Sequence, residues 1–155
     1  MKIRLCYSSI RPVDAGDLIE NLNDILSKAR DFNAKYQIYG VLYYANNAFF
    51  QCLEGEEEIL NDLMQRIMQD PRHHEINVFK AIEIKRIYFK KWSMKYVQKS
   101  SKIDLFFQQL NADGFHPSML NEDVLPQFVN ELLQEEQTKL RRKVGLHQRG
   151  INPYL

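Results

Sequence analysis

Residues 38–55 read IYGVLYYANNAFFQCLEG, and this stretch decides the fold. Two apolar runs, 38–45 and 48–54, flank Asn46-Asn47. Asparagine tolerates the left-handed backbone that two-residue hairpin turns require, so the stretch predicts a tight β-hairpin. In its second arm, alternation puts Phe49, Gln51 and Leu53 on one face. A buried Gln51 needs partners for two amide donors and one acceptor. An amide left unpaired there costs about 1–3 kcal/mol.

Working outward, residues 2–9 alternate Ile3, Leu5 and Tyr7 on one face of a first strand. Residues 17–33 carry Leu18, Leu22, Ile25, Ala29 and Phe32 at helical spacing. Gly55 breaks the hairpin strand, and Glu56–Glu58 open a second helix at the end where its dipole favours negative charge. Ile59, Leu60, Leu63, Met64, Ile67 and Met68 form that helix's stripe, and Asp70-Pro71 ends it. A fourth strand is expected over 76–84 and a fifth over 92–97. The order β-α-β-β-α-β-β predicts an α+β, ferredoxin-like sheet with two helices on one face. Its first and third strands are then central neighbours. Tyr7 and Gln51 fall side by side beneath the helices, with Cys6 and Cys52 on the opposite face.

After residue 98 the pattern changes. Residues 102–110 predict a short helix and 121–140 a longer one, with Pro126 in its first turn. Their apolar residues need cover, and the far face of the sheet is available. The division expected is a first domain over 1–98, a helical cap or output element over 99–140 and a basic tail over 141–155. Beyond Glu136 stand five cations (Lys139, Arg141, Arg142, Lys143, Arg149) and no acid. Such a tail is expected to fray or to bind a partner.

The chain has 155 residues and a formal net charge of +1, which gives no overall nucleic-acid or membrane signature. No apolar run approaches the ~20 residues of a spanning helix. MKIRLCYSS reads as a strand rather than a cleavable signal. Its two cysteines read as packed, reduced thiols, and a cytoplasmic location is expected.

Four features bear on function, each with an ordinary alternative. Tyr7 and Gln51 form either a core hydrogen bond or a polar pair facing a ring with hydrogen-bonding edges. Asn33 points into the same region or caps the first helix. Arg72 and His73 in DPRHH (70–74) grip an anion or belong to a solvated turn. Trp92 and Met94, two apart on the last strand, share one face as core packing or as a relay. No Ser-His-Asp, Cys-His, CxxC, P-loop or GxGxxG pattern is present. No metal site is expected, since adjacent His73 and His74 do not converge without distant ligands.

In order and spacing, RLCYSS, ARDFN, IYGVLYYANNAFFQCLEG, IMQDPRH and RIYFKKWSM resemble the signatures of the BLUF family, flavin-binding sensors of blue light. The resemblance covers residues 2 to about 97, and the two C-terminal helices resemble the short BLUF proteins without a fused enzyme. It implies a non-enzymatic photoreceptor with a flavin between the two helices, usually FAD, with FMN or riboflavin as other possibilities. Gln51 would bond both the flavin edge and Tyr7, and Asn33 would fix another part of the ring. Ile25, Phe49, Leu53 and Ile67 would wall it, and Asp70, Arg72 and His73 would stand near its side chain. Ala29 and Phe32 occupy positions where the family often carries polar residues. Tyr7 and Gln51 would be the photoactive switch, Trp92 and Met94 its relay. Output would pass from the C-terminal helices to a regulatory protein or into self-association.

Two other readings share the strand order. An RNA-recognition module would stack bases on Tyr43, Tyr44, Phe49 and Phe50, which needs an open sheet face and a basic platform. An acylphosphatase-type hydrolase would need an anion cradle after the first strand, where SSIRPVDAGD offers Arg11 but no glycine-rich loop.

Overall fold

The computed structural model describes residues 1–71 and 73–140. Six strands form one sheet: β1 (Lys2–Ile10), β2 (Tyr39–Ala45), β3 (Ala48–Glu56), β4 (His74–Val78), β5 (Ile82–Glu83) and β6 (Lys95–Gln98). The strand order is β4-β1-β3-β2-β6, and β5 also pairs with β1. β1 and β3 run antiparallel at the centre, in a register that puts Tyr7 opposite Gln51 and Cys6 opposite Cys52. This is the ferredoxin-like arrangement. β6 lies parallel to β2 at one edge.

Asn46 and Asn47 both take positive φ, 53° and 62°, as a two-residue turn of the primed type requires. At the start of the hairpin, Gly40 meets its neighbour closely. A Cβ there would stand 2.1 Å from the carbonyl oxygen of Cys52, so only glycine lets β2 and β3 approach this far.

Helices α1 (Leu18–Tyr36) and α2 (Glu57–Met68) cover one face. Leu22, Ile25, Leu26, Leu60 and Met64 pack there against Ile3, Leu5, Tyr7, Phe49 and Leu53. Asp17 caps α1 by accepting from the Glu20 amide. The other face is covered by α3 (Ser101–Gln108) and α4 (Val124–Gln134), joined through a short 3₁₀ turn at Pro117–Met119. Ile103, Phe107, Phe115, Phe128 and Leu132 bury Cys6, Tyr43, Phe50 and Cys52. Both thiols are free. The two faces therefore carry the residues that alternation assigned to them.

Several boundaries differ from the sequence reading. β3 runs through Gly55 to Glu56 instead of breaking at the glycine. α1 continues past Asn33 and ends on Gln37 in the left-handed conformation, so Asn33 is not its cap. The strand expected over 76–84 is two strands with a break at 79–81. There Phe79 turns to the cap-side core, while Ile76 and Ala81 stay on the α1/α2 side. The last strand begins at Lys95, not Trp92. α4 is shorter than the 121–140 pattern. Asn121 Oδ1 accepts from the amides of Asp123 and Val124 at its start. After it the chain follows the edge of β6: Thr138 N donates to the Tyr96 carbonyl at 2.7 Å, and Leu140 packs on the α1/α2 side. The tail expected at 141–155 lies outside the described residues.

Candidate functional site

Between α1, α2 and the sheet lies a cavity of about 320 Å³. That is within the usual range for a small-molecule site. Ile25, Ala29 and Phe32 of α1 and Leu63 and Ile67 of α2 give it apolar walls. Helical spacing explains the set: residues three and four apart share one helix face. Its floor is polar, made by Tyr7, Gln51 and Asn33, and Asp70 and His73 stand at one end.

Tyr7 and Gln51 are 1% and 5% exposed. The Tyr7 hydroxyl donates to Gln51 Oε1. Gln51 Nε2 donates in turn to Met94 Sδ at 3.5 Å. Asn33 is buried, and its Nδ2 donates to the Ser93 carbonyl at 2.7 Å. One turn earlier Arg30 Nε donates to the Met94 carbonyl at 3.0 Å. Two α1 side chains thus hold the backbone just before β6, and this holds Met94 against Gln51.

Most residues proposed from the sequence converge here: Tyr7, Ile25, Ala29, Phe32, Asn33, Gln51, Ile67, Asp70 and His73 all line the cavity. Phe49 and Leu53 lie in the packed core of the same face and not on the cavity wall. Arg72 lies outside the described residues. His73 is turned inward: its Nδ1 meets Ser9 Oγ at 2.8 Å and its ring packs edge-on against Tyr7 and Phe49. Trp92 and Met94 do not share a face, because both precede the strand. Met94 is in the core beneath α1 and α2, whereas Trp92 packs on the opposite side beside Phe89.

Lys28 and Arg66 were not singled out from the sequence. They flank the opening and also line an adjoining hollow with Asp24, Gln69, Asp70 and Pro71. Lys28 Nζ lies 3.5 Å from Asp24, and the Arg66 guanidinium stands 5.3 Å from the Phe32 ring centre. On a helix surface each reads as a solvated charge. Only the approach of α1 to α2 makes them a pair.

The donor set fits a flat, largely apolar ring with a hydrogen-bonding edge on Gln51 and Asn33, carrying an anionic chain out past two cations. Residues 3–95 match the family profile described as BLUF, sensors of blue-light using FAD. The chain belongs to the BLUF family. It is a flavin-binding sensor of blue light, and its fold agrees with solved BLUF proteins. The photo-activated state of BlsA is 49% identical with a TM-score of 0.87, over 90% of this chain and 99% of that one. The dark-state BLUF protein BlrB is 27% identical with a TM-score of 0.67, over 85% and 92% of the two chains. Photoactivated adenylate cyclase subunit beta from Euglena gracilis is 33% identical over 75 residues. That stretch is 48% of this chain but only 9% of the cyclase, so the resemblance is confined to a sensor-sized part of it.

In BLUF terms the RNA-recognition reading fails on burial. Tyr43 and Phe50 lie beneath α3 and α4, Phe49 beneath α1 and α2, each with no exposed surface. Arg11, the one candidate for an anion cradle, donates to Asn21 Oδ1 and the Gly16 carbonyl and closes its own loop. Among the described residues no helix is long and apolar enough to cross a membrane.

Proposed function

We propose that the flavin is FAD, that Tyr7 and Gln51 are its photoactive switch, and that the signal leaves through β6 and the C-terminal helices to a partner protein. The observation that carries this reading is the buried series Tyr7–Gln51–Met94, which runs from the cavity floor into the core behind it. When bound, the flavin supplies the absorption of blue light and an oxidising excited state.

The protein's part is to hold protons and orientations. The Tyr7 hydroxyl keeps its proton and donates it in a hydrogen bond to Gln51 Oε1. Transient movement of that proton frees the amide to turn or to change tautomer, exchanging its donor and acceptor ends. Asn33, bonded to Ser93 and lining the cavity, orients the ring. The aliphatic walls exclude water, so the rearranged amide meets no competing solvent. Lys28 and Arg66 suit phosphates at the opening, which favours FAD or FMN over riboflavin.

In this reading residues 1–98 are the sensor, 99–140 the output element, and the chain has no catalytic activity of its own. A partner protein is supported by the relatives' roles: one is a blue light- and temperature-regulated antirepressor from Escherichia coli, 34% identical over 58 residues. Self-association through α3 and α4 is the other route for output.

The test is an absorption spectrum of the purified protein in the dark and after blue illumination, with mass spectrometry of the released chromophore. A reversible red shift, absent from Gln51→Leu and Tyr7→Phe, is expected, with the mass of FAD. A shift that persists in both variants removes them as the switch.

A further inference from the structure

The strand that carries the signal away also carries a buried cation. Lys95 follows Met94 directly and has no exposed surface. Met94 is the residue just before β6 and Lys95 the first of the strand, and their side chains go to opposite faces of the sheet. Met94 meets Gln51 beneath α1 and α2, while Lys95 enters the cap side. There Lys95 Nζ donates to the carbonyls of Leu132 and Leu133, at 2.9 and 3.0 Å. Its ammonium also stands 4.2 Å from the centre of the Trp92 ring. Leu132 and Leu133 lie in the last turn of α4, where helix carbonyls lack intrahelical partners and the dipole is negative. A cation over an aromatic face is favourable as well.

Other ties converge on the same short segment. Asn33 and Arg30 hold the carbonyls of Ser93 and Met94 from α1. Thr138 holds both Tyr96 and Gln98 from the chain that follows α4. Lys95 is the side chain in this set that reaches α4 itself. A bare aliphatic side chain would fill the same volume, so packing does not explain an ammonium here. An ammonium makes the contact directional: it holds while Nζ stays within bonding distance of two fixed carbonyls and weakens as the strand moves.

We propose that Lys95 is a positioning residue that couples the Gln51–Met94 contact to the C-terminal end of α4, so that a displacement of β6 on illumination is delivered to residues 132–138. This rests on the flavin reading given above. The strand turns one event at Gln51 into a change on each face: Met94 reports on the amide, and Lys95 transmits to the helix end. Trp92 keeps the ammonium aligned and thereby has a part in the relay from the cap side, away from the flavin.

The test compares wild type and Lys95→Met, both loaded with flavin, in the dark and under blue light. Two readouts are taken: the flavin absorption shift, and amide hydrogen exchange over residues 131–138. In wild type, illumination is expected to raise exchange at least threefold in that stretch. Lys95→Met is expected to keep the flavin shift and lose that light-dependent difference. An equal difference in the variant, or none in wild type, overturns the proposal. Absence of any flavin shift in wild type would instead sink the underlying sensor reading, so the two failures are distinct. A second measurement needs no variant. The ¹⁵N resonance of Lys95 Nζ in wild type is expected to move on illumination, and an unmoved resonance likewise overturns the coupling.

Discussion

Gln51 Nε2 and Met94 Sδ lie 3.5 Å apart in the core beside the cavity, with the other end of the amide occupied by Tyr7. This fixes which way the amide points: oxygen to the phenol, nitrogen to the sulfur. A thioether is a weak acceptor, so the arrangement is held firmly at one end and lightly at the other. In the switch proposed above, moving the Tyr7 proton releases the firmer of these two contacts. Met94→Leu keeps the volume and removes the acceptor. It is expected to retain the light-induced absorption shift and to slow dark recovery by about fivefold or less, on the order of 1 kcal/mol. Flash photolysis reads this directly. Loss of the shift would mean that Met94 belongs to the switch itself.

Gly40 leaves no room for a side chain where β2 meets β3. Gly40→Ala brings a methyl to 2.1 Å from the Cys52 carbonyl oxygen, a backbone atom that cannot swing aside. The hairpin must spread, and with it the Leu42–Gln51 pairing. A loss of about 1–3 kcal/mol or more is expected in urea unfolding, together with weaker flavin retention. A variant of wild-type stability would show that β2 and β3 can separate freely.

Glu54 is a fully buried carboxylate with every contact spoken for. Oε2 accepts from Arg4 Nε and Nη2, at 3.0 and 2.8 Å, and Oε1 accepts from the amides of Tyr88 and Phe89. It thereby pins the loop between β5 and β6 to the central strand. Glu54→Ala leaves a guanidinium and two amides without their acceptor, and a cost of about 3–5 kcal/mol is expected. Glu54→Gln keeps an acceptor and should lose less. Equal losses in the two variants would show that the charge is what matters.

These residues also show what the sequence carried and what it hid. The odd and even faces of β1 and β3, the Asn46-Asn47 turn and the Tyr7–Gln51 register follow from alternation and from turn chemistry, both local properties. Helical spacing gathers Ile25, Ala29 and Phe32 on one face of α1, but it is the resemblance to the BLUF family that marks them, with Ile67, Asp70 and His73, as a cofactor site. The break at 79–81 and the start of β6 were not. INVFKAIEI alternates like one strand, and the clamp from Glu54 that shapes the following loop comes from 34 and 35 residues away. Lys28 and Arg66 were hidden likewise, because each is an ordinary surface charge until two helices meet. Lys95 was not singled out from the sequence, and only the end of α4 makes it a buried contact.

Two buried phenols, Tyr43 in the cap-side core and Tyr96 in the core beneath α1 and α2, make a prediction about alkaline pH. Tyr43 and Tyr96 have phenol pKa values pushed well above 10 by burial. In the unfolded chain they ionise near pH 10. Their contribution to stability is therefore complete below about pH 10 and is lost as pH rises from there toward the folded values. Stability should be flat around neutrality and fall above pH 10. Among the described residues the Tyr43 hydroxyl is buried without a hydrogen-bond partner. Tyr43→Phe should thus cost nothing at pH 7, or stabilise by up to ~1–2 kcal/mol, and make the alkaline decline shallower, with Tyr96 supplying the rest. Urea titrations at pH 7 and 10.5 decide it. A loss above ~1 kcal/mol at pH 7 would reveal a partner for that hydroxyl.

Lys28 and Arg66 give the choice of flavin a handle. If they receive phosphates, Lys28→Ala and Arg66→Ala should each weaken FAD binding by about tenfold, the value of one charge-assisted hydrogen bond of ~1.5 kcal/mol. Riboflavin has no phosphate, so its affinity should hardly change. The comparison separates charge from packing, since Arg66 also covers the Phe32 ring and its loss there would weaken both ligands alike. Raising salt should narrow the gap between FAD and riboflavin in the wild type, because both cations are exposed and screened. Fluorescence titration of the apoprotein at low and high ionic strength measures all of this. Equal losses for the two flavins, insensitive to salt, would assign Lys28 and Arg66 to the cavity wall and send the phosphates elsewhere.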